Sequence, residues 1–160
     1  SHFIFTDSYD VVFAAGFDEI IAKFEKLNSP IVFAAECYCW PAQANVQRYP
    51  SNNLRCRFLN AGMWIATAEA ALPFTLDLAL IAAQREKCDQ GIVTEMFLSG
   101  RYGIALDGTC SLCFCMNMDS PSYLDLSAPR PKTKDTGEEP CLFHGNGASP
   151  LLEVIRHIAP

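Results

Sequence analysis

The sequence predicts an α/β domain, and three stretches near its start carry that expectation. "FIFT" (3 to 6) is an apolar run of strand type. Phe17 to Leu27 places Ile20, Ile21, Phe24 and Leu27 at helical spacing, with Asp18 and Glu19 where the helix dipole favours acids. "IVFAAE" (31 to 36) is again short and apolar, and Asn28-Ser29-Pro30 separates it from the helix. Strand, helix, strand is a βαβ unit, whose favoured crossover lays the two strands parallel with Asp7 and Glu36 at one edge. Function usually gathers outside that edge.

The rest of the chain extends the pattern. Cys37 to Arg57, with "CWPAQ" and "RYPSNN", reads as a long loop, and such loops often carry function. "RFLNAGMWIAT" (57 to 67) regains strand character around an Asn-Ala-Gly break. Pro73 to Arg85 reads as a helix, and "DQGIVTEMFL" (89 to 98) as another, with Ile92, Val93, Met96 and Phe97 on one face. Ala105 to Asn117 is cysteine-rich, with "LCFCMNM" a candidate strand. Residues 120 to 140, rich in Pro, Ser, Lys and Glu, are expected to form an exposed insertion. An apolar helix, Leu151 to Ile158, closes the chain.

The 160 residues suit one domain spanning 1 to 160, and an apolar half supplies its core. A net charge of −6, with basic residues densest only in "PRPKTK" (129 to 134), excludes a basic stripe for nucleic acid. The longest apolar stretch, Ala61 to Ala83, is interrupted by Glu69, Pro73 and Asp77, so no membrane span is expected. The eight cysteines include one C-x-x-C, short of the two ligand pairs of a structural zinc site, and are read as buried thiols or a disulfide or two. Nothing resembling a signal peptide opens the chain. The first residues already read as a core strand, so the chain is expected to begin partway into a larger fold.

"TDSYD" holds the first chemical signal. Asp7 and Asp10 would point to opposite faces of a straight strand, but a turn after Thr6 places both carboxylates at the strand tip. Close acids repel, and a divalent cation, protonation or a basic partner resolves the repulsion. Alternatively, Asp7 caps the next segment and Asp10 faces water. In "HGNG", His144 is either a turn residue or a ligand, and Gly145 and Gly147 suggest close backbone approach, for instance to phosphates.

The ordered set "FTDSYDV", "FAAECYCWP", "YP", "RFLNAGMWI", "DQ" and "HGNG" resembles the glycosyltransferase domain of the procollagen lysyl hydroxylases and related collagen glycosyltransferases, over Phe3 to Gly147. The resemblance implies a GT-A fold, a mostly parallel α/β sheet flanked by helices, here N-terminally incomplete. The strand and helix that grip uracil and ribose would precede Ser1. It also implies manganese, a UDP-sugar donor carrying galactose or glucose, a hydroxylysine or hydroxylysine-linked sugar of collagen as acceptor, and the lumen of the endoplasmic reticulum. Asp7, Asp10 and His144 match its metal ligands, a donor set suited to manganese. Asp7, Trp40, Asn60, Gln90, Gly145, Asn146 and Gly147 fall at positions that would hold the donor, and Asp89 and Glu36 at positions that would serve the reaction.

Several features depart from the family pattern. The run of aspartates is here "REKCDQ", leaving Asp89 alone, and "HGNGASP" lacks the lysine that normally follows. "LDG" (106 to 108) lacks a histidine after Leu-Asp. A domain that keeps the fold for binding or assembly after its chemistry has decayed is therefore the alternative. A haloacid-dehalogenase-like phosphatase would need aspartates two apart, whereas these are three apart.

Overall fold

The computed structural model describes residues 1–84, 88–117, 120–147 and 149–159. Its elements are β1 (His2–Thr6), β2 (Val11–Phe13), α1 (Phe17–Lys26), β3 (Ile31–Glu36), β4 (Phe58–Thr67), α2 (Ala68–Gln84), α3 (Asp89–Leu98), β5 (Ile104–Asp107), β6 (Cys113–Cys115), β7 (Leu124–Asp125), β8 (Lys132–Thr133), β9 (Leu142–His144) and α4 (Leu151–Ile158). Helix α2 starts before Pro73, and the expected end at Arg85 lies outside the described residues.

The main sheet has the order β1-β4-β3-β5 and is mixed, which corrects the expectation of a mostly parallel sheet. Strand β4 runs antiparallel to both β1 and β3, and only β3 and β5 pair in parallel. The connection explains this. Residues 37 to 57 contain a 3-10 turn, Gln43–Arg48, but no crossover helix, so the chain re-enters the sheet at the edge it left and must reverse direction. Because both flank β4 antiparallel to it, β1 and β3 still point the same way. Asp7 and Glu36 therefore share an edge, as the βαβ reading requires.

Helices cover both faces of this sheet. On one, Ile20 and Phe24 of α1 meet Val32, Ala34, Met63 and Ile65. On the other, Phe74 of α2 and Ile92, Val93 and Met96 of α3 meet Ile31, Phe33, Leu59 and Trp64. Phe33, Trp64 and Phe74 form a mutually packed aromatic group, and each large side chain so buried contributes about 2 kcal/mol.

Strand β4 switches faces partway along. Leu59 and Ala61 join the α2/α3 side, and so do Trp64 and Ala66, a change from odd to even positions. The pairing records the same irregularity: Phe33 sits opposite Trp64, but Ala34 sits opposite Asn60. Ala61, Gly62 and Met63 thus bulge away from β3, while Gly62 O accepts the Asp7 N–H at 2.8 Å. The Asn-Ala-Gly break is this bulge.

A smaller sheet, β2-β9-β6, stands beside the first. Its register places Val11 opposite His144, and Gly145 N donates to Asp10 O at 2.7 Å. The segment expected as an exposed insertion, 120 to 140, carries the β7–β8 hairpin and is anchored to the domain. Leu124 and Thr133 are buried, and Arg130 makes paired hydrogen bonds to Glu19 of α1. The eight cysteines are free thiols in this structure. Among the described residues, no helix is long and apolar enough to cross a membrane.

Candidate metal centre and cleft

Three backbone arrangements bring Asp7, Asp10 and His144 together. The turn at 7 to 10 leaves β1 and enters β2, the β2–β9 register sets His144 beside that turn, and the β4 bulge holds Asp7 by its N–H. One ligand atom from each residue lies within 4.8 Å of the others. His144 Nε2 is 3.4 Å from both Asp7 Oδ2 and Asp10 Oδ2. Neighbouring ligands on an octahedral ion with bonds of about 2.1 Å stand about 3 Å apart, so this spacing suits one small divalent cation. The turn that the sequence predicts after Thr6 is what puts the two acids on one side.

The histidine is prepared as a ligand. It is 3% exposed, and burial pushes its imidazole below its ordinary value, against the pull of Asp10 and Asp7. Asn60 sets the tautomer. Its Nδ2 donates to Glu36 Oε1 at 3.3 Å, so Oδ1 faces the Gly62 N–H at 3.0 Å and His144 Nδ1 at 3.0 Å. With Nδ1 donating to that oxygen, the Nε2 lone pair points between the aspartates. Gly62 makes the approach possible, because a Cβ there would lie 2.2 Å from His144 Cε1 and 2.7 Å from Asp7 Oδ2.

The candidate metal centre lies on the wall of a cleft of about 600 Å³. Glu36, 4% exposed, is the hub of its floor. Its Oε1 accepts from Gln90 Nε2 at 2.7 Å as well as from Asn60, and its Oε2 accepts from Asn146 Nδ2 at 3.1 Å. Burial pushes its carboxyl up to about 7, although the donors from Gln90, Asn60 and Asn146 pull it down. Gln90 also donates to Trp40 O at 3.1 Å and accepts the Ala61 N–H at 3.0 Å, tying α3, the 37–57 loop and the bulge together.

The remaining expected site residues divide. Trp40 (63% exposed), Asp89, Asn146 and Gly147 line the cleft beside Asp7, Asp10, Glu36, Asn60, Gln90 and His144. Asp89 Oδ1 also accepts the Gln90 N–H at the start of α3, the bond of an acid at a helix N-terminus. Gly145 is not among the residues that line the cleft. Its N–H is taken by Asp10 O, and a Cβ there would come within 3.1 Å of Leu151. Its smallness lets α4 approach β9. Sequence reasoning missed Gly62, Tyr38 and Asn117. Asn117 N and Oδ1 each bond the Asn146 side chain at 3.0 Å, but it follows a cysteine-rich run without periodicity and gave no signal.

A buried histidine and paired strand-end acids form a candidate divalent-metal site beside an open cleft on an α/β scaffold, and comparison with known proteins gives the class of the domain. The sequence profile of the PLOD GT domain family matches residues 2–154, and the chain belongs to that family. It is 30% identical over 156 residues to mouse (Mus musculus) procollagen-lysine,2-oxoglutarate 5-dioxygenase 2, covering 93% of this chain and 21% of that protein. It is 32% identical over 156 residues to procollagen-lysine,2-oxoglutarate 5-dioxygenase of Drosophila melanogaster, covering 91% of this chain and 21% of that protein. It is also 40% identical over 65 residues to the rat (Rattus norvegicus) multifunctional procollagen lysine hydroxylase and glycosyltransferase LH3, covering 41% of this chain and 9% of that protein. The chain therefore spans about a fifth of the curated relatives that it matches along most of its length.

Proposed function

We propose that this domain, of GT-A type, transfers galactose or glucose from a UDP-sugar to a hydroxylysine or hydroxylysine-linked sugar of a collagen-like acceptor in the endoplasmic reticulum lumen. Manganese would be held by Asp7, Asp10 and His144. The observation that carries the proposal is the convergence of those three side chains on the cleft wall, with His144 Nδ1 held 3.0 Å from Asn60 Oδ1. When bound, the cation supplies Lewis-acid stabilisation of the departing diphosphate.

The chain's own residues do the rest. Half-exposed Asp7 and Asp10 present oxygens to the cleft while their backbone atoms are anchored to β4 and β9. Trp40 offers an exposed aromatic face to a sugar ring. Glu36 locks the amides of Asn60, Gln90 and Asn146, so the polar wall is set before a ligand arrives. Asp89 is the acid nearest the hub from α3 and is assigned to the sugar or acceptor hydroxyls.

Hydrolysis of UDP-glucose and UDP-galactose in the presence of manganese tests the proposal. Activity should vanish in Asp10→Ala and His144→Ala while the fold persists. A second reading, a domain retained for binding, is favoured by one observation: Asp89 spends an oxygen on its own helix. UDP binding without turnover on any acceptor would support it over transfer.

A further inference from the structure

Away from the cleft, three thiols and one guanidinium meet at neighbouring strand ends. Cys37 follows β3, Cys56 precedes β4, and Cys110 lies in the turn after β5. Strand β3 lies between β4 and β5, so these positions adjoin on one edge of the sheet. Cys56 and Cys110 are 1% and 3% exposed and share a buried cluster against which Cys37 packs. The turn carrying Cys110 presses on the segment carrying Cys56: a Cβ on Gly108 would lie 3.1 Å from Cys56 O and 2.7 Å from Leu54 Cδ1. The two thiols therefore lie in one buried cluster beneath the turn after β5.

Arg55 supplies charge. Its guanidinium lies 4.1 Å from the Tyr123 ring centre and 5.3 Å from that of Phe114, and Nη1 donates to Cys37 Sγ at 3.5 Å. Nε is 3.7 Å from Asp135 Oδ2, yet Nε and Nη2 are both buried without a hydrogen-bond acceptor among the described residues. A partly buried cation so placed favours a thiolate beside it. The Cys56 thiol is drawn below its ordinary value first by the neighbouring Cys110 thiol and then by the charge of Arg55, against the opposing effect of burial.

We propose that Cys56 and Cys110 form a disulfide by exchange with a small-molecule disulfide of the oxidised-glutathione class, Arg55 serving as counter-charge to the attacking thiolate. Cys56 thiolate attacks one sulfur of the small disulfide, whose S–S bond breaks and releases one thiolate. Cys110, giving up its proton, attacks the Cys56 sulfur of the mixed disulfide and expels the second thiolate. Two protein thiols lose two electrons in all, and the small disulfide becomes two thiols carrying the two protons. Burial of both sulfurs places the exchange during folding, before the turn after β5 closes on Cys56. The finished link ties β4 to β5 across the end of β3.

The test is refolding of the full chain in an oxidising glutathione buffer, followed by alkylation, digestion without reduction and mass mapping. The expected product is a Cys56–Cys110 linked peptide with the other cysteines alkylated. Closing a loop of this length should raise the thermal midpoint by about 10 °C over the reduced protein. That rise should be absent in Cys110→Ser. Alkylation of both thiols overturns the proposal, and so does a link between another pair, such as Cys113 and Cys115 of β6 or Cys37 and Cys56. Mapping is read on the unaltered chain, so poor folding of the variant does not shield the claim. Metal binding at the cleft is a separate measurement.

Discussion

Replacing Gly62 with alanine isolates the geometry of the candidate metal centre from the identity of its ligands. An ideal Cβ would stand 2.2 Å from His144 Cε1, 2.7 Å from His144 Nδ1 and 2.7 Å from Asp7 Oδ2. Carbon atoms need about 3.5 Å, so the imidazole or the bulge must move on the order of 1 Å. The ring has little room, being buried on β9 and hydrogen-bonded to Asn60. Ligand distances tolerate only about 0.2 Å, so Gly62→Ala should weaken divalent-metal binding by about 100-fold. Overpacking should also cost about 1–3 kcal/mol of stability. Manganese titration by electron paramagnetic resonance, with a urea melt of the same sample, separates the two effects. A folded Gly62→Ala protein with undiminished manganese affinity would refute this account of the site.

Asn60→Ala removes the acceptor shared by His144 Nδ1 and the Gly62 N–H, and calorimetric titration should show metal affinity reduced by about 10-fold or more. Glu36 is raised from an ordinary 4.5 to about 7, so the folded state holds its proton longer than the unfolded chain. Its stabilising effect is therefore full below pH 4.5 and lost as pH rises through 7, by about 3 kcal/mol. Urea melts across that window should show a flatter profile for Glu36→Gln than for the parent, in slope rather than level. Asp107, fully buried, accepts from Ser111 N and Oγ through Oδ1 and from Leu112 N and Cys113 N through Oδ2. In Asp107→Asn an amide nitrogen faces one of those donor pairs, and the same melts should show a loss of about 3 kcal/mol.

Local signals in the sequence carried far. Helical spacing placed α1, α3 and α4, and a turn after Thr6 set Asp7 and Asp10 on one side. The direction of β4 was not legible, because Phe58 to Ala66 is buried on both faces and a strand so buried has the same pattern in either direction. Asn-Ala-Gly was visible as an interruption. That it is a bulge delivering Asn60 to His144 depends on pairing to both β1 and β3, which no local window contains. Glu36 was singled out for its strand end, but its burial among three amides comes from β4, α3 and the loop after β9, distant in sequence. Gly145 shows a further limit: a glycine marks close approach without naming the neighbour, here α4 and Asp10.

The most direct measurement is manganese binding to the whole chain, with and without UDP, compared among the parent, Asp10→Asn and His144→Ala. One manganese per parent molecule, lost in both variants while circular dichroism shows the fold intact, is the predicted result. No manganese uptake by the parent with UDP present, or equal uptake in all three proteins, would contradict a shared ion at Asp7, Asp10 and His144.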